Sequence, residues 1–186
     1  TVLVSQATGA ATPGNGNSLQ ATISADGQYV AFASDATNLG GTVGGGFRNI
    51  YLRDVTNATT TLASFGVAAA ASNGSSRAPS LNRNPGVSAG LSADGRYIAF
   101  GSEASNLIAA DTNAISDIFV FDRVLSTLTR VSVSSAGVEA TDPSPSAPDQ
   151  RLGSLNPTIS ATGRYVAFAS LANNLAPGDA LGQQRT

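Results

Sequence analysis

The most regular hydrophobic signal in the chain is a short run that is apolar at successive rather than alternate positions. Residues 28 to 34 read QYVAFAS, 96 to 102 read RYIAFGS and 164 to 170 read RYVAFAS. Successive side chains of a strand point to opposite faces, so a run apolar at both parities predicts a strand covered on both sides. The segments before it, LQATIS, VSAGLS and NPTIS, are short and rich in small and β-branched residues, and they read as first strands. Between first and second strands lies Ser-Ala-Asp-Gly, or Ser-Ala-Thr-Gly in the third copy, which predicts a tight hairpin. Its Ser opens the turn, Asp26 and Asp94 can bond the nearby backbone, and Gly27, Gly95 and Gly163 can take a positive φ. A third strand follows at NIYLRDV (49 to 55) and DIFVFDR (117 to 123), and a fourth at TTTLASF (59 to 65) and LTRVSVS (128 to 134). The fourth alternates polar with apolar, as an outer strand with one wet face should.

These strands recur in a fixed register. Ile23, Leu91 and Ile159 are spaced 68 residues apart, and the same interval links Asn38, Asn106 and Asn174, Leu39, Leu107 and Leu175, and Asp54 with Asp122. Four antiparallel strands repeated at constant spacing describe an all-β fold, a β-propeller segment of four-stranded antiparallel blades. The expected repeats are approximately 19–65, 87–134 and 156–186 within one segment spanning 1–186, the third truncated before its third strand. Residues 1–5, TVLVS, match the outer strand of a preceding blade. About two and a half blades make an incomplete ring, since closure takes ~4 to 8, and unpaired blade edges predict self-association.

The long connections are 35–48, 66–86, 103–116 and 134–155. Turns of an up-and-down blade alternate between its ends. The tight hairpins therefore share one face of the disk and the long connections share the other, where a partner is expected.

Composition removes much chemistry. The 186 residues contain no His, Cys, Met or Trp, and all ten basic residues are Arg. Ser-His and Cys-His nucleophile pairs, thiolate chemistry and ordinary zinc, copper or iron sites are thereby excluded. A net charge of -2 offers no basic field for nucleic acid, and no run reaches the ~20 apolar residues of a membrane span.

The string Ser-x-Asp-Gly-Arg-Tyr-Ile/Val-Ala-Phe at 92–100, with Asp-Ile-Phe-Val-Phe-Asp at 117–122 and a Thr-rich outer strand, resembles the WD-repeat-like repeats of TolB-type propeller proteins. Members of that family commonly have Pro where this chain has Ala25, Ala93 and Ala161, and Asp where it has Thr162. The resemblance implies a bacterial periplasmic or secreted scaffold that binds proteins or cell-envelope components, with no catalytic residues carried over.

Among individual residues, Asp26, Asp94, Asp54 and Asp122 read as turn formers, and Arg96 and Arg164 as partners for neighbouring acids. DTNAISD at 111–117 is the candidate metal site: Asp111, Asn113 and Asp117 could present oxygens to calcium. The corresponding first-unit residues are Val43, Gly45 and Asn49, and the calcium loop's full acidic spacing is absent. The leading expectation is a non-catalytic binding scaffold. Its rivals are a polysaccharide hydrolase or lyase working through Glu103, Asp111 and Asp117, and a calcium-stabilised repeat.

Overall fold

The computed structural model describes residues 1–9, 12–43, 46–77, 90–141 and 153–176. Parts of the long connections named above, 78–86 and 142–152, lie outside the described residues, as do 44–45 and Asp179, which stands in the third unit where Asp111 stands in the second.

The chain is all-β, and among the described residues one short 3-10 turn stands at Val67–Ala69. The first blade is a meander of β1 (Ser18–Ile23), β2 (Tyr29–Ser34), β3 (Asn49–Asp54) and β4 (Thr59–Leu62), hydrogen-bonded in that order. The second contains β5 (Ser76–Arg77) and β6 (Gly90–Leu91), both paired with β7 (Tyr97–Ser102), then β8 (Asp117–Asp122) and β9 (Thr127–Arg130). Two strands of a third blade follow, β10 (Ser154–Ile159) and β11 (Val166–Ser170). All pairings are antiparallel. Every residue of β2 is buried, as its two-sided apolar pattern requires.

Two sequence expectations need revision. The inner strand of the second blade begins at Ser76, ahead of the expected residue 87, because Ser76 pairs with Ser102 as Ser18 pairs with Ser34. Its two halves are separated by residues 78–89, where the first and third blades have only Gln20-Ala21 and Asn156-Pro157 at a bulge. Gln20 and Asn156 both hold φ near +55°, a conformation that sharpens the bend of a bulged strand. Residues 1–5, expected as an outer strand, form none. The Ser5 carbonyl accepts the Gly14 N–H at 2.7 Å, beside an isolated bridge between Gln6 and Pro13, and no ladder extends from it among the described residues.

The main core lies between blades. Tyr29, Ala31, Ala33, Ile50 and Leu52, one face of the first blade, pack against Ile98, Phe100, Phe119 and Phe121, the opposite parity of the second. Phe65, just past β4, meets Phe121 edge-on at 5.8 Å. Alternation across the pleat thus gives each blade one face for each neighbour.

The tight turns carry the same contact. The Ala25 N–H donates to the Ala93 carbonyl and the Ala93 N–H to the Ala161 carbonyl, both at 2.9 Å. Tyr29 lies on Gly95, and Tyr97 on Gly163, so closely that a Cβ at either glycine would overlap the ring. Arg123 covers Tyr29 from the second blade, 4.1 Å from the ring centre.

Gly27 and Gly95 share the left-handed conformation, at φ +73° and +68°, but a Cβ at Gly27 would meet only Ile23 Cδ1, at an ordinary 4.0 Å. Gly27→Ala should therefore cost only backbone strain, about 1 kcal/mol. Gly95→Ala adds displacement of Tyr29 and should cost at least ~3 kcal/mol in total. Urea unfolding midpoints of the two variants measure the difference.

Candidate functional site

On the tight-turn face the repeated acids are engaged by the backbone they shape. Ser24 donates its hydroxyl to Asp26 Oδ1 (2.6 Å), which also accepts the Gln28 N–H (2.9 Å), and Ser92, Asp94 and Arg96 repeat the arrangement. Asp54 accepts the Asn57 N–H at 2.9 Å, and Asp122 accepts those of Val124 and Leu125. Arg96 adds a two-pronged bond to Asp122, with its closest contact 2.8 Å. Bonds from Ser24 and Ser92 hold Asp26 and Asp94 below the usual carboxylate range, and Arg96 does the same for Asp122.

The opposite face has its own repeated device. The side-chain oxygens of Asn38, Asn106 and Asn174 accept the backbone N–H groups of Asn15, Asn73 and Thr141, at 2.9 to 3.0 Å. Their amide nitrogens donate to the carbonyls of Pro13, Ala71 and Glu139. In return Asn15 bonds the backbone and hydroxyl of Thr37, and Asn73 those of Ser105. Each loop after a second strand is thus fastened to the connection entering its own blade. The recurrence of Asn38, Asn106 and Asn174 was visible in the sequence. Their partners do not follow the 68-residue pattern: Asn15-Gly16 and Asn73-Gly74 recur in two incoming segments but 58 residues apart, and Thr141 shares neither residue.

The second blade departs from the first where the metal candidate was expected. Asp111, Asn113 and Asp117 do come together, and the charge facing them is the guanidinium of Arg130. Its Nη1 lies 3.3 Å from Asp111, 3.4 Å from Asp117 and 2.9 Å from Glu139. Asp111 and Asp117 have side chains only 3% and 0% exposed. Asp117 also accepts the Ser132 hydroxyl, and Thr112 bonds Glu139. Asn113 directs its amide nitrogen at Asp117 Oδ2 (2.9 Å), while its oxygen accepts the Ile115 N–H. A cation here would compete with Arg130 for the same oxygens. Among the described residues no three acids form a metal-holding group.

Arg130 and Glu139 were not singled out from sequence, although the period contains the signal for Arg130. At the corresponding positions the first blade has Val43 for Asp111, Asn49 for Asp117 and Leu62 for Arg130. Val43 and Leu62 belong there to one apolar cluster with Leu39 and Tyr51. An apolar contact in one blade has become an ion pair in the next, both partners changing together. Burial first, then the Asp117 charge, pushes the Asp111 carboxyl up to about 6, and burial raises Asp117 as well. Glu139 is more accessible; burial is outweighed there by bonds from Thr112 and Arg130, which hold it below its ordinary value.

No family model and no curated protein matches this sequence. Among solved structures the chain is similar to an oligogalacturonate lyase in complex with manganese, at 15% identity and a TM-score of 0.41. The match covers 96% of this chain and 35% of that one, so the chain spans about a third of that structure.

Removing one partner of a buried ion cluster leaves uncompensated charge, so Arg130→Leu alone should cost about 3–5 kcal/mol. The triple variant Asp111→Val, Asp117→Asn, Arg130→Leu restores first-blade chemistry and should recover most of that loss. Because the folded Asp111 binds its proton up to about 6, against 3.8 ordinarily, stability should rise as pH falls from 7 towards 5. That rise should vanish in the triple variant. Thermal melts across this range check both expectations. Below about pH 4 the carboxylates with lowered values lose their stabilising bonds, and stability should fall.

Proposed function

We propose that the chain is a binding scaffold, a segment of an exported bacterial β-propeller whose long-loop face meets a protein or cell-envelope partner. The observation that carries this reading is the repeated asparagine fastening. Three loops from three units are held at one face by equivalent bonds, which lowers the ordering cost a partner would otherwise impose. The export and the class of partner rest on the repeat resemblance alone.

The carboxylates favour this reading over a polysaccharide hydrolase. Asp111 and Asp117 are buried against Arg130 rather than held in a cleft, and a glycosidic bond must lie between its two acids. On the opposite face Asp26, Asp54, Asp94 and Asp122 are bonded to their turns.

Replacing Asn38, Asn106 and Asn174 together with Ala should leave strand content unchanged and lower cross-linking to a cell-envelope extract about tenfold. Leu125→Asp, an exposed change on the tight-turn face, should leave the same cross-linked species at parental yield. Equal loss in both variants, or loss only with Leu125→Asp, would contradict the proposal.

A further inference from the structure

The outer strands β4 and β9 are alike in register but not in cover. Thr60 in β4 turns its N–H and carbonyl away from β3, and the Thr8 hydroxyl takes both, accepting the N–H at 2.8 Å and donating to the carbonyl at 3.1 Å. The Gly9 N–H donates to the Ala58 carbonyl at 3.2 Å. Gln6 holds the same segment to the strand, its carbonyl accepting the Thr60 hydroxyl at 2.6 Å and facing Arg53 Nη1 at 3.4 Å.

In β9 the matching edge is bare. Ser126 repeats the backbone of Ala58, at φ +53° against +54°, and Leu128 stands opposite Phe121 as Thr60 stands opposite Arg53. The ladder bonds use the other parity, since the Val131 N–H donates to Ile118 as the Ala63 N–H donates to Ile50. The N–H and carbonyl of Leu128 therefore point outward, and neither has a partner there among the described residues. Thr60 is buried, whereas Leu128 is half-buried between exposed Thr127 and Thr129. Sequence explains the difference. Seven residues before the fastened Asn15 stands Thr8, and seven before Asn73 stands Gly66. Gly66 has no hydroxyl, and its turn is tied to itself and to the second blade's loop: its N–H donates to Ala70, and that of Val67 to Asn106, both at 2.8 Å. The outer edge of a blade's last strand runs along neither of the faces that adjoining blades cover.

We infer that the outer edge of β9 accepts an extended peptide of a partner protein as a further strand, bonded to Ser126 and Leu128 where Thr8 and Gly9 are bonded to Ala58 and Thr60. The first blade supplies the precedent, because the same edge there is covered by consecutive residues of an extended segment. A strand edge offers main-chain groups, so the peptide is held by its backbone. Its side chains follow from what has changed between blades. The polar Arg53 and Thr60 that grip Gln6 are replaced by Phe121 and Leu128, so the residue set over Leu128 is apolar and alternates with polar ones beside Thr127 and Thr129. This site is separate from the long-loop face.

The test titrates the isotope-labelled chain with the acetylated, amidated peptide Thr-Val-Thr-Val-Thr-Val and follows backbone amides by nuclear magnetic resonance. At saturation the Leu128 amide should exchange with solvent about tenfold more slowly, while the Thr60 amide, already bonded to Thr8, should not change. The same peptide N-methylated throughout should leave Leu128 exchange as it was. Leu128→Pro removes the outward N–H, which an edge strand tolerates, and should abolish the peptide-induced shifts at Ser126 and Thr127 with circular dichroism unchanged. The comparison of the two peptides on the parent chain decides the matter even where that variant folds poorly. No slowing at Leu128, equal slowing by the N-methylated peptide, or slowing without peptide as chain concentration rises, the mark of a second copy on the edge, would each overturn the inference.

Discussion

The structure depends on one contact made twice: a tyrosine at the start of a blade's second strand lying on the glycine of the next blade's tight turn. That contact allows no side chain at the glycine, so Gly95 and Gly163 are required by their neighbours as well as by their own positive φ. The backbone bond beside it needs an N–H at residues 25 and 93. Alanine supplies one and proline has none. The alanines that distinguish this chain from the repeats it resembles are therefore residues whose main chain joins blade to blade.

Much of the fold was legible because its signals are local and repeated. The two-sided runs gave β2, β7 and β11 as strands, although only β2 and β7 are buried along most of their length, and Ser-x-x-Gly placed the hairpins, since strand pattern and turn geometry are written in adjacent residues. Position in an inner strand was less legible. Ser76 belongs to the second blade only through its pairing with Ser102, and its flanking sequence carries no apolar period to say so. Residues 1–5 carry an outer-strand pattern, but no strand forms there, since pattern cannot supply a partner.

The ionic cluster shows a different limit. Asp111, Asn113 and Asp117 drew notice because they are close in sequence, and the metal reading considered oxygens alone. Arg130 reaches them from a strand that follows a turn, and Glu139 from the connection beyond it. Comparing the blades position by position finds Arg130, since Val43 with Leu62 and Asp111 with Arg130 occupy one site in two chemistries. Glu139 lies past the register of the strands and had no such signal. The cluster fixes the loop over 111–117 to the outer strand, as the apolar contact does in the first blade, while the asparagines fasten the loops generally. Both devices hold described parts of the long connections in place, the property on which the binding proposal rests.

Amide hydrogen exchange at Ala25, Ala93 and Ala161 tests the blade-to-blade contact most directly. In dilute, monomeric chain, the Ala25 and Ala93 amides should exchange only with global unfolding, because each is bonded to the following blade. The Ala161 amide, in the same turn sequence but with no following blade described, should exchange orders of magnitude faster. Equal exchange at all three positions would contradict an account in which the turns join the blades.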